Sequence, residues 1–204
     1  MITLHQMQDS GNCYKLRLAL HRLGLEFRLV DYDILKGETR TDVFLAKNPN
    51  GRVPVLELED GRHLAESNAG LCFLADGTAL LAAGRFERAQ SLQWLFFEQY
   101  SHEPYVAVAR FWHSLKPGGR EEKRDRFPEW LERGYQALAV MEKHLADRRF
   151  FVGERYSIAD IALYAYTHVA DEGGFDLRRF PHVRRWLERV AEAPGHVPMS
   201  WRPS

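Results

Sequence analysis

The pattern of alternation along this chain changes once, and that change limits its fold more than any other feature. Up to about residue 76, short β-like runs alternate with segments of helical periodicity; beyond Gly77 only long helical patterns remain. Elements segregated in this way call for two packed units, one α/β and one all-α. The 204 residues are enough for two small domains. We expect a first domain over residues 1–76, a linker over 77–84 and an all-helical domain over 85–204.

In the first part, strand-like runs at 2–6 and 27–32 flank a helical segment at 13–23, where Leu16, Leu20 and Leu23 recur at helical spacing and Gly24 ends the turn. A shorter helical piece at 41–47 stops at Asn48-Pro49-Asn50-Gly51. Two strands follow, at 53–58 and 62–65, around Glu59-Asp60-Gly61, and Ser67 opens a helix that reaches residue 75. The order β-α-β-α-β-β-α is that of thioredoxin-like domains, although other small α/β folds can share it. The second part reads as helices over 86–115, 121–146, 157–170 and 181–193. Pro104 should kink or interrupt the first of these.

Lys plus Arg balances Asp plus Glu at 28 each, so no net field draws the chain to nucleic acid or to an anionic membrane. Two cysteines, Cys13 and Cys72, make neither a disulfide framework nor a C-x-x-C pair, which fits a reducing, cytoplasmic setting. We expect no membrane span, because no run of 18 apolar residues occurs. The nine histidines show no His-Glu-x-x-His pattern or paired Cys-His spacing, and we expect no metal.

Three motifs carry chemistry. Ser10-Gly11-Asn12-Cys13 follows the first strand and precedes the first helix, where free N–H groups and the helix dipole favour an anion. Ser-x-x-Cys in place of Cys-x-x-Cys excludes a dithiol cycle within the motif, and Ser10 also fits plain helix entry. In Arg52-Val53-Pro54-Val55-Leu56, a proline lies at an apolar strand. A cis Val53-Pro54 bond would turn the Val53 N–H and C=O outward to pair with a peptide ligand; a trans proline at a strand start is the alternative. In Leu64-Ala65-Glu66-Ser67-Asn68, Ser67 can cap a helix and grip a carboxylate while Glu66 pairs with an ammonium, which together suit an α-amino acid head group.

With these motifs in this order, the sequence resembles the cytosolic glutathione transferase family, in its serine-using theta-like and zeta-like branches. The resemblance extends into the second part, where Gly153-Glu154-Arg155-Tyr156-Ser157-Ile158-Ala159-Asp160 looks like the family's capping box and hydrophobic staple. It implies a thioredoxin-like domain that binds glutathione as co-substrate, an all-α domain that shapes a second pocket, and a homodimer. It further implies Ser10 as the residue that activates the thiol, with Asn12 and Cys13 as competing donors. Val53, Pro54, Glu66 and Ser67 would hold glutathione, and Arg40 and Arg52 would meet its glycine carboxylate. Tyr105 and Trp112, seven residues apart, would wall a pocket for an apolar electrophilic small molecule, though such a stripe also suits a core. The implied reaction is conjugation, thiolysis or glutathione-dependent reduction. A non-catalytic binding module and a Cys13-centred thiol transferase remain as alternatives.

Overall fold

A helix between two strands forces those strands to run parallel, and the computed structural model, which describes residues 1–203, has this arrangement at its start. Strands β1 (Ile2–Gln6) and β2 (Phe27–Asp31) pair in parallel, with Ile2 opposite Phe27 and Gln6 opposite Asp31, and α1 (Gly11–Arg22) is the crossover. Antiparallel β3 (Val55–Glu57) pairs with β1 on its other side, and β4 (His63–Ala65) completes the sheet in the order β2-β1-β3-β4. Strand β3 is shorter than expected because Pro54 has no N–H to give the ladder. Helix α2 (Asp42–Leu45) is one turn, started by Thr41, whose Oγ1 accepts from the Phe44 N–H.

Successive strand residues point to opposite faces, so Leu4 and Leu56 share one face and Thr3, His5 and Glu57 the other. Helix α3 (Ser67–Ala75) packs on the Leu4 side at close range: a Cβ on Gly70 would stand 2.9 Å from Leu16 and 3.3 Å from Leu56. Alanine there would force the buried Leu16 and Leu56 side chains to shift.

The chain folds into two compact units: residues 1–76 together with the segment from Pro194 onward form the first, and residues 77–193 the second. The tail, expected within the helical part, thus belongs to the first unit. Its place follows from Arg17, which is fully buried on α1 and needs acceptors. Arg17 Nη2 donates to the carbonyls of Gln8 and Met199, both at 2.8 Å, and Nη1 donates to Gln6 Oε1. The Tyr14 hydroxyl donates to the Val197 carbonyl at 2.6 Å, and Arg202 pairs with Asp31 at 2.5 Å.

The second unit consists of α4 (Arg85–Phe97), α5 (Glu103–Arg110), α6 (Gly119–Glu122), α7 (Phe127–His144), α8 (Ile158–Thr167) and α9 (Pro181–Ala191), with short 3₁₀ turns between some of them. The single helix expected over 86–115 is divided by wide π turns at Glu98–His102 and Phe111–Leu115. Pro104 falls in the first turn of α5, where a missing N–H costs little. Every residue of α8 is buried, and its start is held by Asp160. This carboxylate accepts from the Ser157 N–H at 2.9 Å, the Ser157 hydroxyl at 3.0 Å, the Phe151 N–H at 3.2 Å and the Trp186 indole N–H at 2.9 Å. Burial pushes the carboxyl up to about 6 against the pull of those donors. Among the described residues, no helix is long and apolar enough to cross a membrane.

Candidate functional site

Ser10 is the N-cap of α1, with extended backbone at φ −79° and ψ 121°. Its Oγ accepts from the Cys13 N–H at 3.3 Å, and its carbonyl accepts from the Tyr14 N–H at 2.9 Å. Capping uses a lone pair of the hydroxyl, and the same hydroxyl hydrogen-bonds the Cys13 side chain, which offsets part of the effect of burial on that thiol. A partly exposed hydroxyl at a helix N-terminus can serve an anion while it caps.

The two alternatives to Ser10 are differently placed. Cys13 is 0 % exposed, its Sγ accepts from the Met7 N–H at 3.4 Å, and burial pushes its thiol pKa up. Thiol reactivity favours an exposed, low-pKa sulfur, and the buried Cys13 thiol is neither, which weighs against Cys13 as sulfur contact or thiol-transferase nucleophile. Asn12 is turned toward α3, where its Oδ1 accepts from the Ser67 hydroxyl at 3.1 Å.

Ser67 is the centre of a small polar network. Lys15 donates to Ser67 Oγ at 3.3 Å and to Asn68 Oδ1 at 3.2 Å, and the whole lysine is buried. Sequence reasoning missed Lys15 and Asn68; the available signal was the pair of cations Lys15 and Arg17 set among Leu16, Leu18, Ala19 and Leu20. Ser67 is the first residue of α3 rather than its cap. Glu66 takes the cap position with φ 67° and ψ 113°, gives no side-chain cap bond, and stays exposed. A non-glycine residue at positive φ is held there at a cost of about 1–3 kcal/mol, and such positions concentrate at binding sites.

The Val53-Pro54 bond is cis. Asn48, nearly buried, shapes the approach to it: its Nδ2 donates to the Arg52 carbonyl at 2.7 Å, and its Oδ1 accepts from the Asn50 N–H at 3.0 Å. Arg40 donates to the Asn50 carbonyl at 3.0 Å and braces the same turn. Gly51 has φ 63°, and a Cβ there would meet Arg40 Nη1 and, at 2.9 Å, the Thr39 carbonyl, so the turn requires glycine. Arg52 is exposed, Val53 partly so, and Pro54 buried.

In the helical unit, a cleft of about 600 Å³ is lined by Phe97, Tyr100, Pro104, Tyr105, Arg133 and Val140, among others. Tyr105 forms part of its wall. Trp112 does not: it lies past the end of α5 in the wide turn, where the 3.6-residue period that would keep it under Tyr105 no longer holds. Its ring is covered by the ammonium groups of Lys116 and Lys123, at 4.2 and 4.8 Å from the centroid.

Residues 9–76 match the family model described as glutathione S-transferase, N-terminal domain, and residues 94–194 match glutathione S-transferase, C-terminal domain. The structure is similar to a glutathione S-transferase from Pseudomonas fluorescens Pf-5, with a TM-score of 0.94 and 58% identity over 97% of this chain and 98% of that one. It is also similar to a glutathione transferase from Burkholderia graminis solved with two glutathione molecules bound per subunit, with a TM-score of 0.81 and 26% identity over 95% of this chain and 85% of that one. Among curated proteins, the disulfide-bond oxidoreductase YfcG of Escherichia coli K12 is 31% identical over 95% of this chain and 92% of its own length. Ure2 of Eremothecium gossypii is 30% identical over 96% of this chain, which spans 66% of that protein. The two family models together cover most of the chain, and it belongs to the glutathione S-transferase family.

Proposed function

We propose that the chain binds glutathione in its N-terminal unit and that Ser10 donates a hydrogen bond to the glutathione sulfur, favouring thiolate for attack on an electrophile. The observation that carries this reading is the partly exposed Ser10, whose Oγ accepts from the Cys13 N–H and so stands at the N-terminus of α1, where a thiolate would be favoured. Val53 would pair with the peptide backbone of glutathione, Ser67 and the first N–H groups of α3 would take the γ-glutamyl carboxylate, and Glu66 its ammonium. Buried Lys15 adds positive charge behind Ser67. Of the two arginines proposed for the glycine carboxylate, Arg52 has the better claim, because Arg40 is engaged with the Asn50 carbonyl. An apolar electrophile would use the aromatic cleft at Tyr105. Exposed Phe86, Phe96 and Tyr100 give the helical unit apolar surface that a second copy would cover in a homodimer.

A second reading rests on the likeness to the E. coli disulfide-bond oxidoreductase and to the Burkholderia structure with two glutathione molecules. Here the electrophile is a disulfide: one glutathione thiolate attacks it and expels a thiolate, and a second glutathione resolves the mixed disulfide. Two thiols supply the two electrons and leave as oxidised glutathione. No protein cysteine is needed, in keeping with a buried Cys13 and the lack of a C-x-x-C pair. Parallel assays with a halogenated aromatic electrophile and with a small mixed disulfide separate the readings. Turnover of neither, alongside measurable glutathione binding, would leave the non-catalytic module as the correct account.

A further inference from the structure

The sheet face opposite Leu4 and Leu56 carries a polar cluster drawn from three strands. His5 on β1, Glu57 on β3 and His63 on β4 place one ligand-type atom each within 4.8 Å of one another. Nε2 of His5 lies 2.7 Å from Glu57 Oε2, and Nε2 of His63 lies 3.5 Å from the same oxygen. Register explains the convergence. Glu57 stands opposite His63 on one side and Thr3 on the other, so His5, two residues along, is its diagonal neighbour on the same face.

Two observations mark the cluster as a cation seat. Lys47, just past α2, sets Nζ 3.2 Å from Glu57 Oε2 and 3.3 Å from His63 Nε2. An ammonium only donates, so it meets His63 Nε2 when that nitrogen presents its lone pair, the same lone pair a metal would use. The Tyr32 hydroxyl lies 3.0 Å from His5 Nδ1. Because a phenol both donates and accepts, it suits either His5 tautomer: it donates to Nδ1 while Nε2–H faces Glu57, and it accepts from Nδ1–H when Nε2 is a ligand.

We propose that His5, Glu57 and His63 form a binding site for a divalent transition-metal ion, zinc foremost, with Lys47 as the built-in cation that the metal displaces. Two imidazoles and one carboxylate are a zinc donor set that leaves a fourth position for water. The His5 ring keeps its single proton, moved from Nε2 to Nδ1, and the Lys47 side chain, 21% exposed, swings to solvent. Bound metal would cross-link β1, β3 and β4 using none of the residues assigned to glutathione.

The test uses the full chain without glutathione, whose thiol would compete for metal. Calorimetric titration with Zn²⁺ at pH 7.5 should give one ion per chain, and Co²⁺ should give the visible absorption of a four-coordinate ion. His63→Ala, at an accessible strand end, should weaken binding by at least about tenfold, the loss that even an outer partner of a metal site causes. Lys47→Met should strengthen it several-fold by removing the competing ammonium. No Zn²⁺ binding by the wild-type chain, or binding that stays within twofold in His63→Ala, overturns the proposal.

Discussion

Replacing Ser10 by alanine removes two things at once, and their sizes can be separated. The hydroxyl's hydrogen bond to a thiolate is worth about 1.5–3 kcal/mol, so its loss raises the pKa of bound glutathione by about 1 to 2 units. Taking the upper figure, a thiol at about 6.5 returns to about 8.5, and the thiolate fraction at pH 7 falls roughly 25-fold. The more basic thiolate is also the better nucleophile, by roughly eightfold for a Brønsted slope near 0.45. The net expectation is a rate loss of about threefold at pH 7 and about tenfold at pH 6, with the two pH–rate curves crossing near pH ~7.6. The second loss is the cap on the Cys13 N–H, which costs about 0.5–2 kcal/mol of stability in alanine but only a few tenths in glycine. Ser10→Gly should therefore repeat the kinetic change with a smaller drop in melting temperature. Initial rates from pH 5.5 to 9.5 under saturating glutathione, with the ultraviolet absorbance of bound thiolate followed in parallel, provide the check. Curves for Ser10→Ala that run parallel to wild type at every pH would refute thiolate stabilisation by this hydroxyl, and a shifted curve in Asn12→Ala instead would move the role to Asn12.

Ser67→Ala should weaken glutathione binding roughly 10- to 150-fold by calorimetry, the range for one hydrogen bond to a charged partner, while the pH–rate midpoint stays in place. Glu66→Gly should divide stability from binding: relief of the positive φ keeps the melting temperature at or above wild type, whereas loss of the carboxylate lowers glutathione affinity about tenfold or more. Asp160 has a folded-state pKa near 6 against 3.8 for the free group, so the folded state binds its proton more tightly. Its contribution is thus largest below pH ~4 and declines as pH rises to ~6, a change of roughly 3 kcal/mol. Urea unfolding across that window should show this negative slope in wild type and lack it in Asp160→Asn, which should also be less stable because an amide nitrogen would meet the donors of Ser157; an unchanged slope counts against the assignment.

Much of the candidate site was legible because its parts are local in sequence. A capping serine and a proline at a strand entry each declare their backbone role within a few residues, and the capping box at Ser157–Asp160 did the same, whereas the Glu-Ser pair marked the start of α3 but not which of the two takes the cap position. The sequence could not distinguish Ser10 from Cys13, since both belong to one turn of helix. Packing sets them apart, because Cys13 is buried and Ser10 is partly exposed. Trp112 does not line the cleft that Tyr105 lines: helical period predicts a shared face only while the helix stays regular, and the π turn at Phe111–Leu115 leaves no simple signature.

By itself, the sequence determined where α/β elements give way to helices, the order of elements in the first unit and the residues at several turns, since hydrophobic period, caps and proline act over short stretches of chain. Only the tertiary structure decided which distant polar groups meet. Lys15 reaches Ser67, Arg17 draws the tail after Pro194 onto the first unit, and His5, Glu57 and His63 converge from three strands. Each of these rests on buried or crowded polar groups that must find partners once the sheet and helices have closed, and sheet register, not spacing along the chain, determines which partners are within reach.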